Sequence, residues 1–369
     1  MRIAEGVVLS GVLLQAAYGG TPVLGDSRKG GEVFTNQKCV VCHSVNGQGG
    51  KTAPDLGKRV AREFTPSLVA GLMWNHAPAM WSAIAAGGLD RPQVDAGQAA
   101  DLFAYFASVR FFEHPGDAAR GSALFKSKGC AGCHAIEAPS PGAAKPVAEW
   151  DSVSDSIALA QRMWNHAPAM RQAVESRKLR WPSVTSQELS DILVYLQNLP
   201  QLKHRPPNYA PASAETGEIL FQAKGCTGCH GVKAAVDKRF ANRTMTDFAA
   251  SMWNHGARLT KPLPEMNAEE MRRIVGYLES LQVFDQQGNA AHGKKVFETS
   301  RCGNCHNQPS SGAPSLAGMK GQFSSAAMVS VLWQHGPAML EKMKQQKIAW
   351  PRFQAGDMAD LVAFLNSKN

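Results

Sequence analysis

The sequence predicts a nearly all-α protein made of four tandem repeats. Apolar residues recur with the i, i+3, i+4, i+7 spacing of a helix face, and strand-like alternation is almost absent from the 369 residues. A septet related to WNHAPAM also occurs four times. The septets are Trp74–Met80, Trp164–Met170, Trp253–Leu259 and Trp333–Met339. A feature that returns at this spacing predicts one similar site in each repeat.

Each repeat is expected to be framed by two crossing helices. The first helix carries a Gly and a Phe four residues apart on one face, where the small residue lets another helix approach closely. The last helix carries a Tyr or Phe within an amphipathic pattern. The pairs are Gly30 and Phe34, Gly121 and Phe125, Gly217 and Phe221, and Gly293 and Phe297; the later aromatics are Tyr105, Tyr195, Tyr277 and Phe364.

Links rich in helix-breaking residues separate the repeats. We place the repeats at residues 28–113, 118–200, 214–284 and 290–369, and call them repeats 1 to 4. The link Pro200–Ala214 is long and proline-rich, which predicts that the chain divides into halves there. Residues 1–20 hold one Arg, a short apolar run and then small residues, the pattern of an export signal. This segment predicts a periplasmic or otherwise exported protein.

All eight cysteines fall in four copies of C-x-x-C-H. This motif attaches c-type haem: two thiols add to the vinyl groups of one porphyrin, and the adjacent His binds the iron. A disulfide framework gives no reason for these histidines, zinc sites usually need a second C-x-x-C close by, and a thioredoxin-like pair would be single. The sequence therefore predicts four covalent haems. Their cysteines are Cys39 and Cys42, Cys130 and Cys133, Cys226 and Cys229, and Cys302 and Cys305; their proximal ligands are His43, His134, His230 and His306.

The net charge of +9 would ordinarily suggest nucleic acid or an anionic membrane surface as a partner. The propionates of four haems offset most of this charge, so we expect no nucleic-acid partner. Binding of an acidic protein by a locally basic face is the alternative interpretation of this charge.

With these motifs, each repeat resembles a class I cytochrome c domain, and the resemblance covers residues 28–369. It implies a helix, the haem motif, a loop, a segment with the distal ligand and a final helix. It also implies that a proline after the motif offers its carbonyl to the proximal imidazole. Pro54 and Pro314 match this role, Pro146 matches it less closely, and repeat 3 has no obvious equivalent.

The septets offer two candidates for the sixth iron ligand. Class I domains usually use a Met, and MWSAIAAGGL from Met80 resembles the distal segment of two-haem class I cytochromes. The Pro two residues before each Met suits the first turn of a helix that the Met opens. The His is present in all four septets, on the same helix face as the Met. We predict Met80, Met170 and Met339 for repeats 1, 2 and 4, with His76, His166 and His335 as alternatives. In repeat 3 Leu259 replaces the Met, so we predict His255, with Met266 as the alternative.

Four covalent haems in a chain of small domains predict electron transfer, because the protein then spaces the haems and tunes their potentials. The main hypothesis is a periplasmic tetrahaem cytochrome of a respiratory chain that carries single electrons and is not an enzyme. Its donor would be a quinol-oxidising complex or dehydrogenase, and its acceptor an oxidase, a reductase or a photosynthetic centre. Two alternatives stay open. One is a peroxidase or oxyanion reductase with an open site at the third haem. The other is a structural haem subunit of a larger complex or filament, with membrane contact through its partners.

Overall fold

The computed structural model describes residues 25–57, 64–110, 114–138, 144–202, 216–231, 243–256, 258–259, 263–280, 286–316 and 323–367. The predicted export signal at residues 1–20 and most of the link between repeats 2 and 3 lie outside these ranges. Within them the fold is all-α apart from one small hairpin, in which β1 (Ser44–Val45) pairs antiparallel with β2 (Gln48–Gly49). The predicted fold class is confirmed.

The described α-helices follow the four repeats in order. They are α1 (Ser27–Asn36), α2 (Pro66–Ala86), α3 (Ala96–Ser108), α4 (Ala118–Ser127), α5 (Ser156–Ser176), α6 (Ser186–Gln197), α7 (Gly217–Ala223), α8 (Met245–Gly256), α9 (Ala268–Ser280), α10 (Ala290–Thr299), α11 (Gly303–His306), α12 (Ser325–Gln345) and α13 (Asp357–Ser367). Short 3₁₀ turns lie at Cys39–Val41, Cys130–Gly132, Val147–Glu149, Pro200–Leu202, Cys226–Gly228 and Pro309–Ser311. None of the helices described combines the length and apolarity needed to cross a bilayer.

The predicted crossing of first and last helices is confirmed in repeats 2, 3 and 4. In repeat 2, α4 approaches α6 so closely that a Cβ on Gly121 would clash with the Asp191 carbonyl. The Phe one turn later then packs on the aromatic of the last helix. Ring centroids are 5.9 Å apart for Phe125 and Tyr195, 5.9 Å for Phe221 and Tyr277, and 5.4 Å for Phe297 and Phe364. These crossings provide the frame that carries each haem motif.

The septets of repeats 1, 2 and 4 lie in the middle of long helices, so the prediction that their Met opens a helix is wrong. The septet helices α2, α5 and α12 each run for 21 residues and contain the septet proline. Side chains of Thr65, Asp155 and Ser324 cap their first N–H groups about three turns upstream of the proline. These caps and the buried apolar residues that follow offset the cost of the proline. The proline has no N–H, so it leaves the carbonyl four residues back without its helical partner.

The septet helix of repeat 3 is shorter than the other three. α8 has 12 residues and ends at Gly256. The Arg171 guanidinium of repeat 2 donates hydrogen bonds to the carbonyl oxygens of Gly256, at 2.5 Å, and Leu259, at 2.9 Å. The Gly256 carbonyl also accepts a longer bond from the Leu259 N–H, at 3.4 Å, so Arg171 reinforces the C-terminal end of α8.

The chain forms two compact units. Unit I comprises residues 1–39, 63–104 and 283–369, and unit II comprises residues 40–62 and 105–282. In unit I the septet helices of repeats 1 and 4, α2 and α12, pack together; in unit II those of repeats 2 and 3, α5 and α8, do so. Repeats 2 and 3 therefore belong to one unit although the link Pro200–Ala214 joins them. The predicted division into halves at this link is wrong, because the contacts that pair repeats lie on the septet helices.

Candidate haem sites

The haem motifs form tight helical turns that bring two thiols and an imidazole together. In repeat 2 the His134 backbone N–H donates to the Cys130 carbonyl at 2.8 Å, and repeats 3 and 4 close the same turn at 2.9 Å and 3.0 Å. No disulfide links any of the eight cysteines, as attachment to haem requires. Burial raises the pKa of the Cys130 and Cys226 thiols, which keeps them protonated near neutral pH.

A backbone carbonyl orients three of the four proximal histidines. The Nδ1 atoms of His43 and His306 lie 2.9 Å from the carbonyl oxygens of Pro54 and Pro314, as the resemblance implies. In repeat 2 the partner of His134 Nδ1 is the carbonyl of Lys145, at 3.3 Å, and not that of Pro146. Donation from Nδ1 leaves Nε2 as the iron-binding atom in each case. The corresponding loop of repeat 3, at 232–242, lies outside the described residues.

In unit II a septet histidine faces the proximal histidine of each repeat. The ring centroids of His134 and His166 are 6.2 Å apart, and those of His230 and His255 are 5.5 Å apart. A metal ion bound by two opposed imidazoles lies about 2 Å from each nitrogen, which places the ring centroids about 6 Å apart. Both pairs therefore fit an iron ion held between two histidines.

The electrostatics favour the neutral form of these two septet histidines. Burial lowers the pKa of His166, and the nearby His134 and Arg162 lower it further. Burial also lowers the pKa of His255, together with His230 and Arg258. A neutral imidazole is the form that binds a metal ion, so both side chains are prepared for coordination.

The methionine candidates lie in less suitable places. Met170, the predicted ligand of repeat 2, packs against the apolar cluster that repeats 2 and 3 share. Met266, the alternative in repeat 3, is only 3% exposed and belongs to a second apolar cluster. Met80 and Met339 are half-buried, whereas His76 and His335 are exposed on the same helices. The geometry therefore favours His166 over Met170 and His255 over Met266 as candidates for the sixth ligand.

In repeats 1, 2 and 3 the two septet residues before the histidine bind the paired repeat, a role that the sequence did not indicate. In unit II the Asn165 side chain exchanges two hydrogen bonds with the backbone of Met266, at 2.8 Å and 3.0 Å. The Trp164 indole N–H donates to the Pro264 carbonyl at 2.9 Å. The arrangement is reciprocal: Asn254 exchanges bonds of 2.7 Å and 3.0 Å with Val184, and Trp253 donates to Pro182 at 2.8 Å.

Unit I uses a related contact on one side. Asn75 exchanges two hydrogen bonds of 2.8 Å with the backbone of Phe353. The Trp350 indole N–H donates to the Trp74 carbonyl at 3.0 Å. Pro78 is four residues after Trp74, so this is the carbonyl that the septet proline leaves without a helical partner. The rings of Trp74 and Trp350 also stack, with centroids 5.0 Å apart.

The septet thus combines three tasks on one helix. In repeats 1, 2 and 3 Trp and Asn bind the paired repeat, in repeats 2 and 3 the His ring lies close to the proximal His ring, and in repeat 2 the Met packs, partly buried, against the apolar cluster. The repetition of Trp-Asn was the available sequence signal, but it does not indicate which repeat is bound. Its targets, Val184, Met266 and Phe353, present backbone groups and differ in side chain.

The family comparison agrees with this architecture. The cytochrome c family model matches residues 27–110, 118–200 and 290–369, which is more than half of the chain. Repeat 3 is not among the matched residues. No curated protein and no solved structure matches the chain significantly. The chain therefore belongs to the cytochrome c family, as a multidomain c-type cytochrome whose motifs attach haem c covalently.

Proposed function

We propose that the protein is an exported tetrahaem electron carrier with one haem in each repeat, repeat 3 included. Membership of the family supports haem-based electron transfer. The opposed imidazoles of His230 and His255 are the observation that carries the proposal for repeat 3, which the family model does not match. Each bound haem supplies a one-electron iron couple, and the chain's own residues hold, orient and insulate it.

We further propose histidine as the sixth ligand in every repeat: His76, His166, His255 and His335. The facing pairs in repeats 2 and 3 support this choice, and the same septet position extends it to repeats 1 and 4. In repeat 1 the His76 Nδ1 lies 2.8 Å from the Leu72 carbonyl, so Nε2 is the nitrogen left to bind iron. A second imidazole in place of a thioether lowers the reduction potential.

The low reduction potentials of bis-histidine haems have to match those of the proteins that exchange electrons with this chain. We propose a quinol-oxidising complex or dehydrogenase as electron donor and a reductase, oxidase or photosynthetic centre as acceptor. The periplasm is the proposed compartment, on the strength of residues 1–20. Docking to membrane-bound partners then needs no membrane segment of this chain.

The placement of His255 weakens the enzyme alternative at the third haem. The enzyme alternative needs an open iron site there, where the septet has lost its Met. The ring of His255 lies close to that of His230, and Arg171 donates a hydrogen bond to the last residue of α8, the helix that carries His255. We therefore propose a carrier that has no peroxidase or oxyanion reductase site in repeat 3.

Spectroscopy of the haem-loaded ferric protein tests this proposal. We expect low-spin signals of bis-histidine haems and no far-red sulfur-to-iron band. Stopped-flow mixing with a one-electron reductant should reduce all haems, and added peroxide should not be turned over. A sulfur-to-iron band at about three haems per chain would contradict the ligand assignment. Steady peroxide consumption would contradict the carrier function.

A further inference from the structure

The four septet histidines differ in how firmly the residues before them are anchored. Three hydrogen bonds to the paired repeat hold the Trp-Asn step before each of His76, His166 and His255. The step before His335 is Trp333-Gln334, and Gln replaces Asn only in this septet. This septet is therefore the natural internal comparison for the other three.

Among the described residues, Trp333 and Gln334 make none of these hydrogen bonds to the paired repeat. The Gln334 amide donates only within its own helix, to the Ser330 hydroxyl at 3.2 Å. The Trp333 indole N–H is buried and, like that of Trp74, has no hydrogen-bond partner among the described residues, whereas its counterparts in unit II donate to prolyl carbonyls. Trp74 is held instead through its carbonyl, by Trp350. The longer Gln side chain does not reproduce the paired bonds that Asn makes with a partner backbone.

The backbone around His335 is also weaker. Gly336 follows it where repeats 1 and 2 have Ala, and glycine inside a helix lowers helix stability. Pro337 comes next and leaves the Trp333 carbonyl without its helical bond. The ring of Trp81 packs directly on Gly336, so α12 stays paired with α2. The packing of α12 on α2 thus remains. The hydrogen bonds to the paired repeat that hold the residues before the other three septet histidines are absent among the described residues of repeat 4.

We propose that His335 is an exchangeable sixth ligand, and that the haem iron of repeat 4 is the site where an external small ligand binds. The chemical class is a diatomic or small anionic ligand of haem iron, such as CO for ferrous haem or cyanide for ferric haem. In the exchange, the bond from iron to His335 breaks and a bond to the carbon atom of CO forms, with no electron gained or lost. The inference rests on the proposed histidine ligation, and it moves the reactive site from repeat 3 to repeat 4.

CO binding to the reduced, haem-loaded full-length protein tests this inference. We expect CO to bind one haem per chain, at a rate that saturates with CO concentration because His335 must dissociate first. Gln334→Asn restores the paired side chain, and the saturating rate should fall about tenfold. Asn165→Gln is the matched change in repeat 2, and it should make a second haem reactive to CO. His335→Ala should remove the saturation.

Three results would overturn the inference. One is a wild-type protein that binds no CO while His335→Ala binds it, because His335 would then be a firm ligand. Another is a saturating rate that Gln334→Asn leaves unchanged. The third is a CO-reactive haem that keeps its kinetics in His335→Ala, since the site would then lie in another repeat. Bis-histidine spectra with no CO binding would overturn this inference alone and leave the proposed histidine ligation standing, whereas a sulfur-to-iron band would contradict the proposed histidine ligation.

Discussion

Asn165 and His166 are neighbours in the sequence but act on different faces of their helix. Asn165 binds the Met266 backbone of the paired repeat, and His166 faces His134. Asn165 therefore fixes the position of α5 against the paired repeat, and this position places the His166 imidazole beside His134. A helix places consecutive residues about 100° apart, so adjacent residues can serve two surfaces.

The Asn165 contact should be a measurable source of stability. Asn165→Ala leaves the backbone N–H of Met266 without its partner, while the Met266 carbonyl keeps the bond from Gln161, and the loss should lower the free energy of unfolding by about 2 kcal/mol. Thermal unfolding of the haem-loaded protein measures the change. Asn198→Ala is the control, because Asn198 is exposed and its side chain donates only within its own helical turn, to Val194. Equal losses in both variants would contradict the assigned role of Asn165.

Glu279 should make the stability depend on pH. It is 7% exposed, and burial raises its pKa from 4.5 to about 8 although the nearby Arg110 opposes the shift. Between these two values the folded protein keeps a proton that the unfolded chain has released. Stability therefore falls as the pH rises through this window.

Glu279→Gln removes the titration and should flatten this dependence. The melting temperature of the wild type should fall from about pH 5 to about pH 8, and that of the variant should fall much less. Glu341→Gln, at an exposed position, serves as the control and should keep the wild-type slope. An unchanged slope in Glu279→Gln would assign the pH dependence to other groups.

At the scale of elements, the septet helices join haem binding to the pairing of repeats. Their proline has a structural use in repeat 1, where Trp350 takes the carbonyl that Pro78 leaves without a helical partner. In unit II the corresponding Trp181 stacks on Trp253, with ring centroids 4.3 Å apart. Repeat 3 has no septet proline, and the Trp181 indole N–H has no partner among the described residues.

This difference provides a matched pair of substitutions. Trp350→Phe and Trp181→Phe remove a similar area of stacked ring, but only Trp350→Phe removes a hydrogen bond. Trp350→Phe should therefore cost about 1 kcal/mol more in unfolding free energy. Chemical denaturation of both variants measures the difference. A larger loss for Trp181→Phe would show that the Trp350 bond contributes little.

The sequence predicted some elements well and others poorly, for physical reasons. The crossing of α4 and α6 was predictable because Gly121 and Phe125 form a local pattern on one helix face. The start of α2 was not predicted, since Pro78 is a strong start signal and the competing cap at Thr65 lies about three turns away. Choosing His166 over Met170 needs distances across the fold, because both residues lie on one face of one helix.

At the scale of the whole molecule, the pairing of repeats does not follow chain order. The septet helices of repeats 1 and 4 pair in unit I and those of repeats 2 and 3 pair in unit II, whereas residues 40–57 and 105–110 of repeat 1 belong to unit II. A single sequence does not reveal this, because each Asn binds backbone groups that any repeat offers. The haem motifs, in contrast, were fully predictable, since covalent attachment fixes both residue type and spacing.

Repeat 3 decides whether the protein carries four haems or three. Intact mass measurement of the exported protein should show four attached haems, and Cys226→Ala combined with Cys229→Ala should show three. The same two substitutions at Cys130 and Cys133 provide the comparison from a repeat that the family model matches. Three haems in the wild type, unchanged by the repeat 3 substitutions, would contradict the proposed haem count.

The most direct test of the distal ligands compares His166→Ala with Met170→Ala in the ferric haem-loaded protein. Electron paramagnetic resonance reports the spin state of each haem, which the sixth ligand controls. His166→Ala should convert one haem from low-spin to high-spin, and Met170→Ala should leave every haem low-spin because Met170 packs, partly buried, against the apolar cluster of repeats 2 and 3. A high-spin haem in Met170→Ala, with His166→Ala unchanged, would contradict histidine ligation in repeat 2.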